Sequence, residues 1–314
     1  MRVERLALPG LALLVACALF LCWGLSGRVW FILELRAVKL LALVVVGASV
    51  GVGTVLFQTV TGNRILTPGI LGFDSLFLFL QTLLVMGLGG IGFAGLPATP
   101  KFLIEAALMM VAATALFGLL VLRGPRDLTR VLLIGVVLGA LLRSLAALMQ
   151  RLMDPSEFAM VQGAMFASFG SVDRASLAVT TALVVPMLAL AFALAPRLDV
   201  MALGRTRAVA LGLRFDLLTL GILALVAGLT AVGTALVGPI SFLGLLVAAL
   251  AHGVTGSHRH AALLPAAAMI GAGVLVIGQW LFERVLVQQS SLAVVIEFLG
   301  GLVFLALVIK GARR

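Results

Sequence analysis

Charge is scarce in this chain. Of its 314 residues only 11% are charged, while 63% are hydrophobic and the mean hydropathy is +1.27. A soluble domain carries about a quarter charged residues. The deficit excludes an ordinary water-solvated fold, because one globular core cannot hide so much apolar surface. Lysine is rarer still. Lys39, Lys101 and Lys310 are the only ones, and none ends a glycine-rich loop of the Gly-Lys-Ser/Thr type. That excludes a phosphate-cradling nucleotide site of this kind. The His-Glu-x-x-His motif is missing, as are the paired aspartates of a metal-dependent membrane transferase, so no catalytic constellation is visible. Cysteine is limited to Cys17 and Cys22. Their spacing puts them on different faces of one helix, which argues against an intrahelical disulfide or a shared metal.

What the chain has instead is long apolar runs. A helix needs about 20 predominantly apolar residues to cross the hydrocarbon core. The runs are continuous, not alternating, and in lipid the backbone must satisfy its own hydrogen bonds, so helices are expected, not a barrel. The reading is an all-α polytopic membrane protein, a single domain over 1–314 with about ten transmembrane helices. The spans are placed near 6–26, 37–60, 73–94, 102–122, 130–150, 175–195, 215–236, 240–256, 262–282 and 291–309. The first is expected to be retained, since the residues after Cys17 stay apolar as far as Trp23. An even number of spans leaves both termini on one side. The larger share of the 22 Lys and Arg falls on that side, which the positive-inside rule makes the cytoplasm. The net charge of +10 therefore reads as topology and not as a footprint for nucleic acid.

Two connections exceed simple turns. The stretch at about 151–175 opens with Asp154-Pro155-Ser156-Glu157 and is expected to hold a short helix at the outer surface. The stretch at about 196–214 carries Arg197, Arg205, Arg207 and Arg214 and is expected inside. A faint internal echo links Val52-Gly53-Thr54-Val55-Leu56 to Val232-Gly233-Thr234-Ala235-Leu236, in spans running in opposite directions.

Ionisable groups inside spans are costly, about 2.5–3.5 kcal/mol each at a helix centre. Glu105, Arg143, Asp216 and Glu297 are the candidates. Asp216 opens a helix and can meet its free amides. Glu105 lies one turn inside an interface and can snorkel. Arg143 and Glu297 lie deeper, where pairing with each other, lining a wet cavity and reaching the surface all stay open. His252, His258 and His260 gather at the inner end of the eighth span, either as boundary polar residues or as metal ligands. So few membrane charges suit a proton-coupled secondary transporter poorly.

The most specific local feature is Leu203-Gly204-Arg205-Thr206-Arg207-Ala208-Val209-Ala210-Leu211-Gly212. Two Leu-Gly pairs around a central Ala predict two short helices with a tight turn. Such an element is either a solvated linker or a grip for a soluble partner. The stretch resembles the coupling element of FecCD-type permeases, which import iron-siderophores, haem and vitamin B12. The resemblance extends along nearly the whole chain: Val46-Gly47-Ala48 through Thr54 and Phe57-Gln58, then Asn63-Arg64-Ile65-Leu66-Thr67-Pro68-Gly69-Ile70-Leu71-Gly72-Phe73-Asp74, and Gly238-Pro239-Ile240-Ser241-Phe242-Leu243-Gly244-Leu245 followed by Leu263-Leu264-Pro265. The Ile-Leu-Thr-Pro variant resembles the branch serving catecholate-type siderophores. The chain departs from the family where Ala248 to Gly253 replace a usual Pro-His-x-x-Arg, and at Ser291 and Leu302.

This resemblance implies a vitamin B12 importer permease-like fold and a permease subunit of an ATP-binding-cassette importer for a ferric chelate in a bacterial inner membrane. It implies no cofactor and no resident metal. The implied partners are cytoplasmic ATPase subunits, a second permease (identical or homologous) and an extracytoplasmic binding protein. Leu203, Gly204, Ala208, Leu211 and Gly212 carry over as ATPase-coupling residues. Arg36, Lys39 and Arg284 match by position the residues that dock the binding protein. Gly51, Thr54, Gln58 and Ser144 are the expected pathway lining.

Overall fold

The computed structural model describes residues 4–25, 27–123, 128–284, 295–298 and 300–302. The described residues are helical and include twelve α-helices: α1 (Glu4–Cys22), α2 (Val29–Thr61), α3 (Asp74–Ala94), α4 (Ala98–Arg123), α5 (Leu128–Gln150), α6 (Pro155–Ala164), α7 (Arg174–Ala193), α8 (Ala195–Met201), α9 (Arg205–Ala210), α10 (Phe215–Val237), α11 (Leu243–Thr255) and α12 (His260–Arg284). A π-helical turn, Gly69–Phe73, leads directly into α3. Among the described residues seven helices are long and apolar enough to cross a membrane, and α1 and α11 are shorter apolar helices. Most of the expected tenth span at 291–309 lies outside the described residues.

The 33-residue α2 is the axis of the bundle. It is apolar all round, with Ala42 through Gln58 almost wholly buried, and it packs against α12, α10, α11 and α7. A helix hydrophobic on every face belongs at the centre of its bundle. Lipid supplies little hydrophobic drive between helices, so close backbone approach must supply dispersion instead. Glycine provides it where α2 crosses α12. A Cβ on Gly47 would collide with the Gly271 carbonyl, one on Gly271 with the Gly47 carbonyl, and one on Gly51 would lie 2.5 Å from the Ala267 oxygen. The rising numbers on α2 against falling numbers on α12 make the pair antiparallel. The echo of the sequence lies in a second such pair. Gly53 of α2 faces Leu229 of α10, and Gly233 of α10 faces Ser49 of α2, again antiparallel.

Two helices begin inside the bundle and not at its surface. Thr67, Pro68 and Gly69 line one cavity together with Val46, Val50 and Thr54 of α2, as do Gly238, Ile240, Ser241 and Gly244. The chain after α2 therefore turns back to mid-depth before starting α3, and α11 starts at the same depth. This corrects the expected eighth span at 240–256. The helix is 13 residues, Leu243–Thr255, too short to cross alone. α3 also bends at Gly89 (φ +70°), where the free Gly90 N–H donates to the Glu157 carboxylate of α6 at 2.9 Å.

Candidate functional site

Between α7 and α10 the chain forms the expected pair of short helices. Pro196 sits in the first turn of α8, where its missing N–H costs nothing. Gly204 and Gly212 bracket α9 with φ of +92° and +84°. Side chains with a Cβ avoid that region, which is the physical reason for the two Leu-Gly pairs. Ala208 is fully buried, its N–H donating to Gly204 O and its carbonyl accepting from Leu213 N, both at 3.0 Å. Leu203, Val209 and Leu211 are exposed, so the hairpin presents an apolar knob among arginines. The Arg205 guanidinium pairs with the Asp216 carboxylate at 2.8 Å, joining α9 to the first turn of α10. Hydrogen bonding to Asp216 pushes the Arg205 pKa up.

Beside this hairpin lies a cleft of about 840 Å³, lined by Gln58, Arg64, Asp199, Leu203, His252 and Arg259 among others. His260 organises its wall. Asp199 of α8 accepts from the His260 backbone N–H at 2.8 Å and from its Nδ1 at 2.6 Å, while Nε2 lies 2.7 Å from the Thr59 hydroxyl of α2. The Arg64 guanidinium meets His258 Nδ1 at 3.2 Å. Among the described residues no three His, Cys, Asp or Glu side chains are arranged to hold a metal.

At mid-depth the polar groups converge on serines. Arg143 donates to Ser75 Oγ at 3.2 Å, and Ser241 lies near both the Asp74 and the Glu297 carboxylates. Arg143 and Glu297 thus belong to one cluster without touching each other in a simple pair. The cavity beside it, between Thr54, Asp74, Thr234 and Ser241, has only about 30 Å³. Glu105 does not snorkel. It is 5% exposed on α4, buried near Gln81 of α3.

The opposite end of the bundle gathers the expected docking residues. Arg36 and Thr59 are separated along α2 by roughly 35 Å at 1.5 Å per residue. There Lys39 pairs with Glu283 at 2.6 Å, Arg174 pairs with Glu34 at 2.6 Å, and Arg284 lies by Gly24. Arg36 is differently employed. Its guanidinium donates to the carbonyls of Leu21 and Trp23, each at 2.8 Å, capping the carboxyl end of α1.

Against this geometry, the model of the FecCD transport family matches residues 12–310. The chain belongs to the FecCD family. Among its relatives, the petrobactin import system permease protein YclO of Bacillus subtilis (strain 168) is 38% identical over 304 residues, covering 96% of each chain. The petrobactin import system permease protein FatC of Bacillus anthracis is 31% identical over 279 residues, covering 89% of this chain and 79% of that one. The fold resembles a solved structure described as an inward-facing metal-chelate type ABC transporter, with a TM-score of 0.82, 22% identity and coverage of 98% and 99%.

Within this FecCD chain the four expected pathway residues are dispersed. Gly51 packs in the α2–α12 crossing, Thr54 lines the small mid-depth cavity, Gln58 lines the large cleft and Ser144 is exposed on α5. Asp74, Ser241 and Asp199 were not singled out as polar groups of the site. Asp74 sits at an apparent span boundary, and only the re-entrant turn at Gly69–Phe73 carries it inward.

Proposed function

We propose that this chain is the transmembrane permease subunit of an ATP-driven importer that moves a ferric siderophore across the inner membrane. The observation that carries the reading is the near full-length similarity to two petrobactin import permeases. The physical chemistry agrees with it. The chain lacks a phosphate-cradling loop, so work must arrive from a separate ATPase, and α8–α9 offers that partner an apolar knob on a bracketed helix. With this end in the cytoplasm, both termini lie there too. Leu203, Gly204, Ala208, Leu211 and Gly212 form the coupling element, and Lys39 and Arg284 meet the extracytoplasmic binding protein at the other end.

A second permease copy or homologue completes the pathway. At mid-depth the cavity of about 30 Å³ is far too small for a chelate. Arg143 and Ser144, in contrast, lie exposed on α5 about two turns before its end at Gln150, where lipid alone would solvate them poorly. A wet passage between two permeases gives them polar surroundings.

Reconstitution with the ATPase and binding protein in vesicles tests the proposal. Uptake of a ferric catecholate chelate should require ATP and all three components. Uptake driven by a pH gradient with no ATPase present would replace this reading with secondary transport.

A further inference from the structure

The bend in α3 has a cause within the helix and a partner outside it. Gly89 takes φ 70° with ψ 159°, a region that only glycine occupies without strain. Sharp bends need a local origin of this kind, since regular helices curve only gently. In a straight α3 the Gly90 N–H would pair with the Met86 carbonyl, four residues back. The bend takes it out of that ladder, and away from water an orphan N–H needs another acceptor. Glu157 of α6 supplies one at 2.9 Å. The approach is close because Gly90 has no side chain; a Cβ there would lie 3.2 Å from Glu157 Cγ.

Little else seats the amino half of α6. Val85 and Phe93, one turn either side of Gly89, pack with Val161, one turn after Glu157, in a cluster separate from the main core. Small units of this kind open more readily than the core beside them. The carboxyl end of α6 is better anchored. A Cβ on Gly238 would lie 3.2 Å from the Ala164 carbonyl, and the Ser168 N–H donates to the Val237 carbonyl at 2.8 Å. The bend lies at the Glu34 end of the bundle: Thr99, shortly after α3, donates to Asp173, next in sequence to the Arg174–Glu34 pair.

We propose that Glu157 is a positioning residue for transport, whose bond to the Gly90 N–H holds α3 bent and seats α6 in the bend. Without that bond Gly90 returns to Met86, α3 straightens and α6 swings about its anchored end. One N–H with two alternative acceptors makes the bend a two-state element. α6 follows α5, whose Arg143 and Ser144 face the proposed passage, so the seat of α6 sets the outer end of that passage. This link to uptake rests on the permease reading; the latch itself does not.

The test uses the full chain in nanodiscs with Cys17→Ser and Cys22→Ser, and with spin labels on Ile91→Cys and Ser156→Cys, both exposed positions. The parent and Glu157→Gln, which keeps a carbonyl acceptor, should give the same single distance. Glu157→Ala should lengthen or broaden it. Gly89→Ala should do the same, since it opposes the bend while leaving Glu157 in place. ATP-coupled uptake should fall several-fold in both and stay near the parent in Glu157→Gln. Parental distances in Glu157→Ala overturn the latch, and so does an equal loss in Glu157→Gln, because the acceptor would then not matter. Parental uptake in Glu157→Ala despite a shifted distance overturns the role in transport. Import by the parent without ATP sinks the permease reading alone, because the distances are read with no ATPase present.

Discussion

The Asp199 carboxylate receives two hydrogen bonds from His260, one from its backbone N–H and one from Nδ1 at 2.6 Å. With the Thr59 contact on the other ring nitrogen, a single imidazole ties α8 to α12 and α2. His260 is 3% exposed, so water cannot replace these partners. Asp199→Ala should cost about 1–3 kcal/mol, the usual penalty for stranding a buried donor. Because α8 is the first arm of the coupling hairpin, ATP hydrolysis should continue while uptake falls. Double-mutant cycles among Asp199, His260 and Thr59 check the idea, and simple additivity of the single losses would mean that the three do not act as one tie.

Gly204 isolates the backbone geometry of the same hairpin. Its φ is +92°, yet a Cβ there would meet nothing within 4 Å. Any effect of Gly204→Ala is therefore conformational, about 1–2 kcal/mol of local strain. Gly221 in α10 also has open space around it, with no left-handed φ, and serves as the control. Gly204→Ala and Gly204→Arg should reach the membrane in normal amount and lose most ATP-coupled uptake, while Gly221→Ala keeps it. Parental uptake by Gly204→Arg would remove the hairpin from the coupling path.

The hairpin was legible because its rule is local: two Leu-Gly pairs require two left-handed residues, whatever surrounds them. The long spans were legible for a similar reason, since hydropathy sums over neighbours in the chain. Depth in the bundle is a different kind of quantity. Asp74 stands at the end of an apolar run, and only the turn at Gly69–Phe73, packed with Gly72 against Gly139 of α5, carries it inward. Leu243 begins a half-length helix for the same reason, although its sequence reads as a full span. Glu105 appeared free to reach the interface because what buries it, the packing of α4 against neighbouring helices, is not written in its own span. Pairings such as Arg143 with Ser75, or Asp199 with His260, join residues far apart in sequence that no periodicity connects.

The cations at the end opposite the hairpin divide into two kinds, and mutation should separate them. Arg36 is spent on the carbonyls that end α1, where four acceptors lack intrahelical partners. Arg36→Ala should lower the unfolding midpoint and loosen α1, with little change in the salt dependence of capture. Lys39 and Arg284 sit at the rim, and rim charges govern encounter rate more than residence time. Lys39→Glu with Arg284→Glu should slow association of the binding protein several-fold at low salt, and the difference should shrink as ionic strength rises. Association rates identical to the parent at all salt concentrations would take both residues off the docking surface.

Asp173 gives the fold a predictable response to acid. It precedes α7 and accepts from the Ser176 backbone N–H at 2.9 Å, with the Ser176 and Thr99 hydroxyls also on its carboxylate. These bonds, the Ser176 amide first, hold its pKa below the usual carboxylate value. A depressed folded-state pKa means that the unfolded chain binds the proton more readily. The stabilisation is then fully present above the ordinary aspartate range and is lost as the pH falls through the lower folded value. Near neutral pH, Asp173→Ala should cost about 1 kcal/mol, typical of a lost helix cap. Asp173→Asn keeps an acceptor for the helix amides while removing the titration. Unfolding midpoints taken from pH 7 down to pH 3 should therefore fall more steeply for the parent than for Asp173→Asn. Parallel curves for the two proteins would show that the cap works without its charge.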